Sequence, residues 1–109
     1  MYETRLAQFV TDLYAVLGEK LESIILYGSE ARGTASEDSD VDIVILLRDP
    51  LTGVENERMS DLIVDFNIDT GRVLSVIDVS KDDYLKWGGT MPFFQNLSRE
   101  GRALWTTTA

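Results

Sequence analysis

Leu26-Tyr27-Gly28-Ser29-Glu30-Ala31-Arg32-Gly33 and, after a short polar stretch, Asp38-Ser39-Asp40-Val41-Asp42-Ile43-Val44-Ile45-Leu46-Leu47 are the part of the chain whose reading decides the fold. Ser23–Tyr27 is a short, isoleucine-rich apolar run, the pattern of a buried strand. Gly28-Ser29 breaks it, Glu30–Arg32 has room for one helical turn, and Gly33 ends that turn. Thr34–Ser39 reads as polar loop. Val41–Leu47 is the strongest strand pattern in the chain. Beyond Asp42 it is apolar on both faces, which suits a central strand covered on both sides.

On the N-terminal side, Leu6, Phe9, Val10, Leu13 and Leu17 make one helical stripe, so residues 3–17 are expected to be a helix ended by Gly18. On the C-terminal side, Asp49-Pro50-Leu51-Thr52-Gly53 is a turn. Met59, Leu62, Ile63 and Phe66 then predict a second helix over 54–67. Asp69-Thr70-Gly71 turns into a third strand, Val73–Val79. Ser80 has the character of an N-cap, with Asp83 at the N3 position, for a short helix to Trp87. Gly88-Gly89 is a break, Pro92 opens a last helix over 92–100, Gly101 ends it, and Ala103–Trp105 is strand-like. No helix between the first two strands is long enough for a regular βαβ unit. The order predicts an α+β (mixed α/β) fold, a small mixed β-sheet flanked by helices, in one domain over 1–109.

The composition excludes whole classes of chemistry. The 109 residues include no cysteine and no histidine, so thiolate metal sites, disulfides and histidine bases are ruled out. A metal here must be held by oxygen, which favours Mg²⁺, Mn²⁺ or Ca²⁺. No apolar run approaches a bilayer span and no signal-peptide pattern opens the chain, so a cytoplasmic protein without a membrane partner is expected. A net charge of −9 argues against direct nucleic-acid binding, because backbone phosphates require Lys and Arg. Part of that acidity is local. Glu30, Glu37, Asp38, Asp40 and Asp42 face a single base, Arg32, between residues 28 and 42.

Side chains alternate along a strand, so Asp40 and Asp42 share a face roughly 6–7 Å apart along the chain. Two carboxylates that close repel one another and attract a divalent cation. Mg²⁺ typically takes one or two carboxylates plus substrate phosphates. Asp-x-Asp alone says little, and a Gly-Ser turn after a strand says little. Gly28 lets a backbone approach a ligand closely. Ser29 offers a hydroxyl at the start of a helical turn whose N–H groups can receive phosphate, and Arg32 with Gly33 follows within one turn. Arg32 is equally suited to pairing with Asp38 or Asp40. Together, the turn and the acids make a phosphate cradle beside an acidic metal edge, the equipment of phosphoryl or nucleotidyl transfer.

With Gly-Ser-x-Ala-Arg-Gly, then Ser-Asp-x-Asp, then an apolar strand, Leu26–Leu47 resembles the signature of the DNA polymerase beta-like nucleotidyltransferases. More narrowly, the chain resembles the prokaryotic minimal nucleotidyltransferases (MNT proteins). Pro92–Gly101 is similar to the closing helix of many such small proteins. The resemblance implies the polymerase beta-like fold and Mg²⁺-dependent (or Mn²⁺-dependent) transfer of a nucleotide, AMP from ATP in the first instance. By position it implies that Gly28 and Ser29, with Arg32 and Gly33, contact the triphosphate and that Asp40 and Asp42 hold the metals. It also implies a HEPN-type partner, since some MNT proteins are antitoxins that AMPylate a HEPN toxin. Homo- and hetero-oligomers both stay open.

The family normally adds a third carboxylate from a later strand, near Ser75 in this chain. Asp78 is the acid in that strand, but its odd offset from Ser75 points it to the opposite face; Asp69 and Asp65 are the other candidates. Without a base in reach, transfer is slow unless substrate or partner supplies one. The alternatives are a catalytically weak nucleotide-binding module, or a subunit that acts by binding its partner. Tyr27 sits beside the site as a rim or core tyrosine or a base-stacking one. Trp87 and Trp105 read as packing or partner-surface aromatics, and Phe93 and Phe94 are expected to staple the last helix to the core.

Overall fold

The computed structural model describes residues 2–28, 33 and 40–107. Helix α1 (Tyr2–Leu17) leads through one turn of 3₁₀ helix (Gly18–Lys20) into strand β1 (Leu21–Tyr27). Strand β2 (Val41–Leu47), helix α2 (Gly53–Thr70) and strand β3 (Leu74–Ser80) follow. The short helix α3 (Lys81–Trp87), helix α4 (Pro92–Glu100) and strand β4 (Arg102–Thr106) complete the chain. The four strands lie in the order β3-β2-β1-β4. β1 runs antiparallel to both β2 and β4, whereas β2 and β3 are parallel, with α2 as their crossover. The expected mixed sheet is therefore present, and Val41–Leu47 is an inner strand of it.

One face of the sheet carries most of the buried side chains. Leu6, Phe9, Leu13 and Leu17 of α1 and Met59 and Phe66 of α2 close over Ile24, Leu26, Val41, Ile43, Ile45, Leu47 and Leu74. Phe9 and Phe66 meet edge to face, 6.4 Å between ring centroids. The other face is thinner, with Val44, Leu46 and Leu97 buried and Ile25, Tyr27, Val79 and Tyr84 packed around them. β2 thus has apolar neighbours on both sides, as its sequence requires.

The caps of α2 set where β3 begins. The Thr52 hydroxyl accepts from the Glu55 N–H, the Glu55 carboxylate accepts from the Thr52 N–H, and Lys20 Nζ donates to Glu55 Oε1 at 2.6 Å. The Lys20 hydrogen bond holds the Glu55 carboxyl below the usual glutamate range, with the Thr52 backbone bond adding to it. Glu55 is thus both a capping and an ion-pairing residue. Gly71, at φ +72°, ends α2 in the left-handed conformation and donates to Asn67 O. Asn67 Oδ1 then accepts from Leu74 N at 2.8 Å, which ties the first residue of β3 to α2. That bond accompanies the β3 register against β2, on which the geometry of the acidic edge depends.

Among the described residues no helix is long and apolar enough to cross a membrane.

Candidate active site

The acidic edge lies where β1 ends and β2 and β3 begin. In the antiparallel pair Tyr27 stands opposite Asp42, and in the parallel pair Asp42 stands beside Ser75. Paired residues share a sheet face, so Tyr27, Asp42 and Ser75 form a row across three strands. The row is on the thinner face, with Val44 and Leu46 following Asp42 along β2. Asp42 is partly buried, while Asp40, just ahead of β2, is exposed. Val41 N, between them, donates to Val73 O at 2.8 Å and anchors this end of the strand.

Gly28 lies directly against that row. Its φ is +72°, and a Cβ built on it would stand 2.6 Å from Asp42 Oδ2. A side chain there would be strained by the left-handed backbone and would have to displace the Asp42 carboxylate. The glycine is what lets the chain leave β1 past Asp42 and keep the carboxylate at the strand end. Burial raises the Tyr27 hydroxyl above the usual tyrosine range, and the negative charge of Asp42 raises it further. Tyr27 is therefore neutral across the physiological range.

Of the seven residues singled out from the sequence, Gly28, Gly33, Asp40, Asp42 and Asp78 fall within the described residues, and Ser29 and Arg32 lie outside them. The structure brings Gly28 and Asp42 together and sets Asp40 two residues from Asp42 at the same strand end. Gly33 is exposed, with φ +74°. Asp78 is not brought to this edge, which corrects its assignment as third carboxylate. It pairs with Ile45, on the face covered by α1 and α2, and lines a hollow with Leu47, Arg48 and Pro50 at the far end of β2. The odd offset of three residues from Ser75 produces both displacements. Asp69 is held by Arg5 at 2.9 Å, and Asp65 is exposed on α2. At the level of Asp42 the β3 residue is Ser75, and among the described residues no group of three carboxylates converges. The acids Glu30, Glu37 and Asp38 lie outside the described residues.

One feature was not legible as a site feature. Phe93, expected to staple α4 to the core, is 37% exposed and meets Tyr27 edge to face at 5.9 Å. The two are far apart in sequence, and no spacing rule connects them.

The donor set suits a hard divalent cation. Two carboxylates stand at one strand end, one of them exposed, in a chain without thiol or imidazole. Gly28, having no side chain, brings its backbone directly against the Asp42 carboxylate.

A family model of the nucleotidyltransferase domain matches residues 4–96. A Methanocaldococcus jannaschii protein, provisionally named as a protein adenylyltransferase, is 31% identical over 106 residues, covering 94% of this chain and 97% of that one. A second protein of that organism, named in the same way, is 40% identical over 52 residues. That match spans 48% of this chain and about half, 52%, of its own length. A solved complex of a tri-AMPylated Shewanella oneidensis HEPN toxin with MNT antitoxin contains a chain of similar fold. The TM-score is 0.57 at 19% identity, covering 98% of this chain and 74% of that one.

Proposed function

This chain belongs to the nucleotidyltransferase domain family, and from that premise we propose that it transfers AMP from Mg-bound ATP to a hydroxyl group on a partner protein. The observation that carries the reading is the close approach of Gly28 to Asp42, which leaves a carboxylate at the strand end beside a backbone that a phosphate can reach. Asp42 and Asp40 would hold Mg²⁺ (or Mn²⁺), which when bound neutralises the triphosphate and lowers the pKa of the acceptor hydroxyl. Gly28, with Ser29, Arg32 and Gly33, would cradle the phosphates. The acceptor oxygen forms a bond to the α-phosphorus while the bond from that phosphorus to the bridging oxygen breaks. Pyrophosphate leaves, and the hydroxyl proton passes to solvent or to a base from the partner. Tyr27, neutral beside Asp42, adds no charge to the edge.

A HEPN-type toxin is the proposed acceptor, with this chain as its cytoplasmic antitoxin. The protein adenylyltransferase names of the relatives and the AMPylated toxin of the similar complex support that choice. The test is incubation of the chain with labelled ATP, Mg²⁺ and a HEPN-type protein encoded beside it. Label should reach the partner, and Asp42→Asn should reduce it by about 10²-fold or more, since even indirect disturbance of a metal ligand costs 10–100-fold. Label transfer at the wild-type rate with Asp42→Asn would refute the assignment.

A second reading is favoured by Ser75, which stands where a third carboxylate would complete the row. In that reading the chain binds Mg-ATP and neutralises its partner by binding. Asp42→Asn would then leave neutralisation intact while abolishing nucleotide binding.

A further inference from the structure

We propose that Phe93 is the surface on which the base of the bound nucleotide stacks. The inference rests on the metal–nucleotide reading of Gly28 and Asp42. Asp42 has two lateral neighbours, Tyr27 on β1 and Ser75 on β3. The phosphate cradle belongs to the β1 side, because Gly28 directly follows Tyr27 and packs on the Asp42 carboxylate. A nucleoside attached to those phosphates meets the wall on that side, and the wall is aromatic. Tyr27 stands next to Asp42, at the close spacing of a cross-strand pair. The Phe93 ring is centred 5.9 Å from the Tyr27 ring, so the aromatic surface beside Asp42 includes both.

Phe93 is also held in place. Tyr27 meets it at an interplanar angle of 88°, and Phe94 meets it at 5.5 Å and 63°. Phe94 in turn packs on Tyr84 at 5.7 Å, and the Tyr84 hydroxyl bonds to that of Ser98 on α4. A ring in contact with two other aromatic rings and still 37% exposed is preorganised, so little rotamer freedom is lost when a flat ligand covers it. The opposite neighbour of Asp42 offers the Ser75 hydroxyl and no ring, which suits the polar acceptor and not a base. Stacking tolerates every base because each has a π-face, so Phe93 governs affinity for the nucleoside and leaves the choice among purines to other groups.

Calorimetric titration of the full chain with Mg-ATP, Mg-GTP and Mg-tripolyphosphate tests this. Phe93→Ala should weaken ATP and GTP alike by about tenfold or more and leave tripolyphosphate within about twofold. Phe93→Tyr should keep wild-type affinity. Phe93→Leu retains apolar bulk without a π-face and should behave like the alanine variant; it carries the test if the alanine variant does not fold. Unchanged ATP affinity in Phe93→Leu, or an equal loss for ATP and tripolyphosphate, overturns the proposal. Wild-type chain that binds neither ATP nor tripolyphosphate overturns the metal–nucleotide reading itself, and the stacking role with it.

Discussion

The two faces of the sheet have different work to do. Against α1 and α2, fourteen side chains form a closed apolar layer among the described residues, from Leu6 and Phe9 to Phe66 and Leu74. Toward α4, among the described residues, only Val44, Leu46 and Leu97 are buried, and the layer runs out at Tyr27, Asp42 and the exposed Phe93. One face carries the main apolar core; the other carries the strand ends at which the proposed site lies. The contrast teaches that β2 serves both purposes through alternation. Ile43, Ile45 and Leu47 go to the closed face, while Asp42, Val44 and Leu46 go to the open one.

The largest effect should come from the closed face. Phe66 is fully buried and packs on Phe9, so Phe66→Ala should lower unfolding stability by about 3–5 kcal/mol in denaturant titration. A loss well under 1 kcal/mol would mean that the closed face is not the stability core. Next comes Gly28→Ala. A left-handed alanine costs about 1–2 kcal/mol in any position, and Gly71→Ala should show that cost alone, since nothing lies within 4 Å of its would-be Cβ. Gly28→Ala should add a loss of Mg-ATP affinity through displacement of the Asp42 carboxylate, and Gly71→Ala should not. Equal affinities in the two variants would remove Gly28 from the site.

The smallest effect is a titration. Tyr27 is raised first by burial and second by Asp42, so its folded value exceeds its unfolded one. It therefore contributes stability that is complete below the ordinary tyrosine value of about 10 and is lost as pH rises through the folded value. In metal-free buffer, Asp42→Asn should bring the Tyr27 transition partway back toward the ordinary value, with burial holding the remainder. NMR of the tyrosine ring carbons would detect it, and an unmoved transition would show that the carboxylate is not beside this ring.

The closed face was legible in the sequence because it obeys periodicity. Leu6, Phe9, Leu13 and Leu17, and then Met59 and Phe66, mark α1 and α2 by spacing alone, and Val41–Leu47 was bounded as observed. α2 runs on to Thr70 beyond its expected end because the Gly71 cap and the Thr70 hydroxyl, bonded to Phe66 O, extend it past the apolar stripe. The open face was legible only in part. Asp42 and Gly28 are close in sequence to the strand ends that join them, so a local motif finds them. Ser75 depends on the parallel register of β3 against β2, and Phe93 depends on how α4 returns to Tyr27. Those are tertiary facts without local signals. The offset of Asp78 from Ser75 was readable as a change of face, and the register places Asp78, exposed, beside Ile45 on the other side of the sheet.

The central claim is that the Gly28–Asp42 edge binds a metal–nucleotide, and titrating ATP into the wild-type chain and Asp42→Asn, each with Mg²⁺ and with a chelator, tests it most directly. The account predicts binding to the wild type only when Mg²⁺ is present, and binding to Asp42→Asn weakened by about 10²-fold or more. ATP binding indifferent to both the metal and the carboxylate would contradict it.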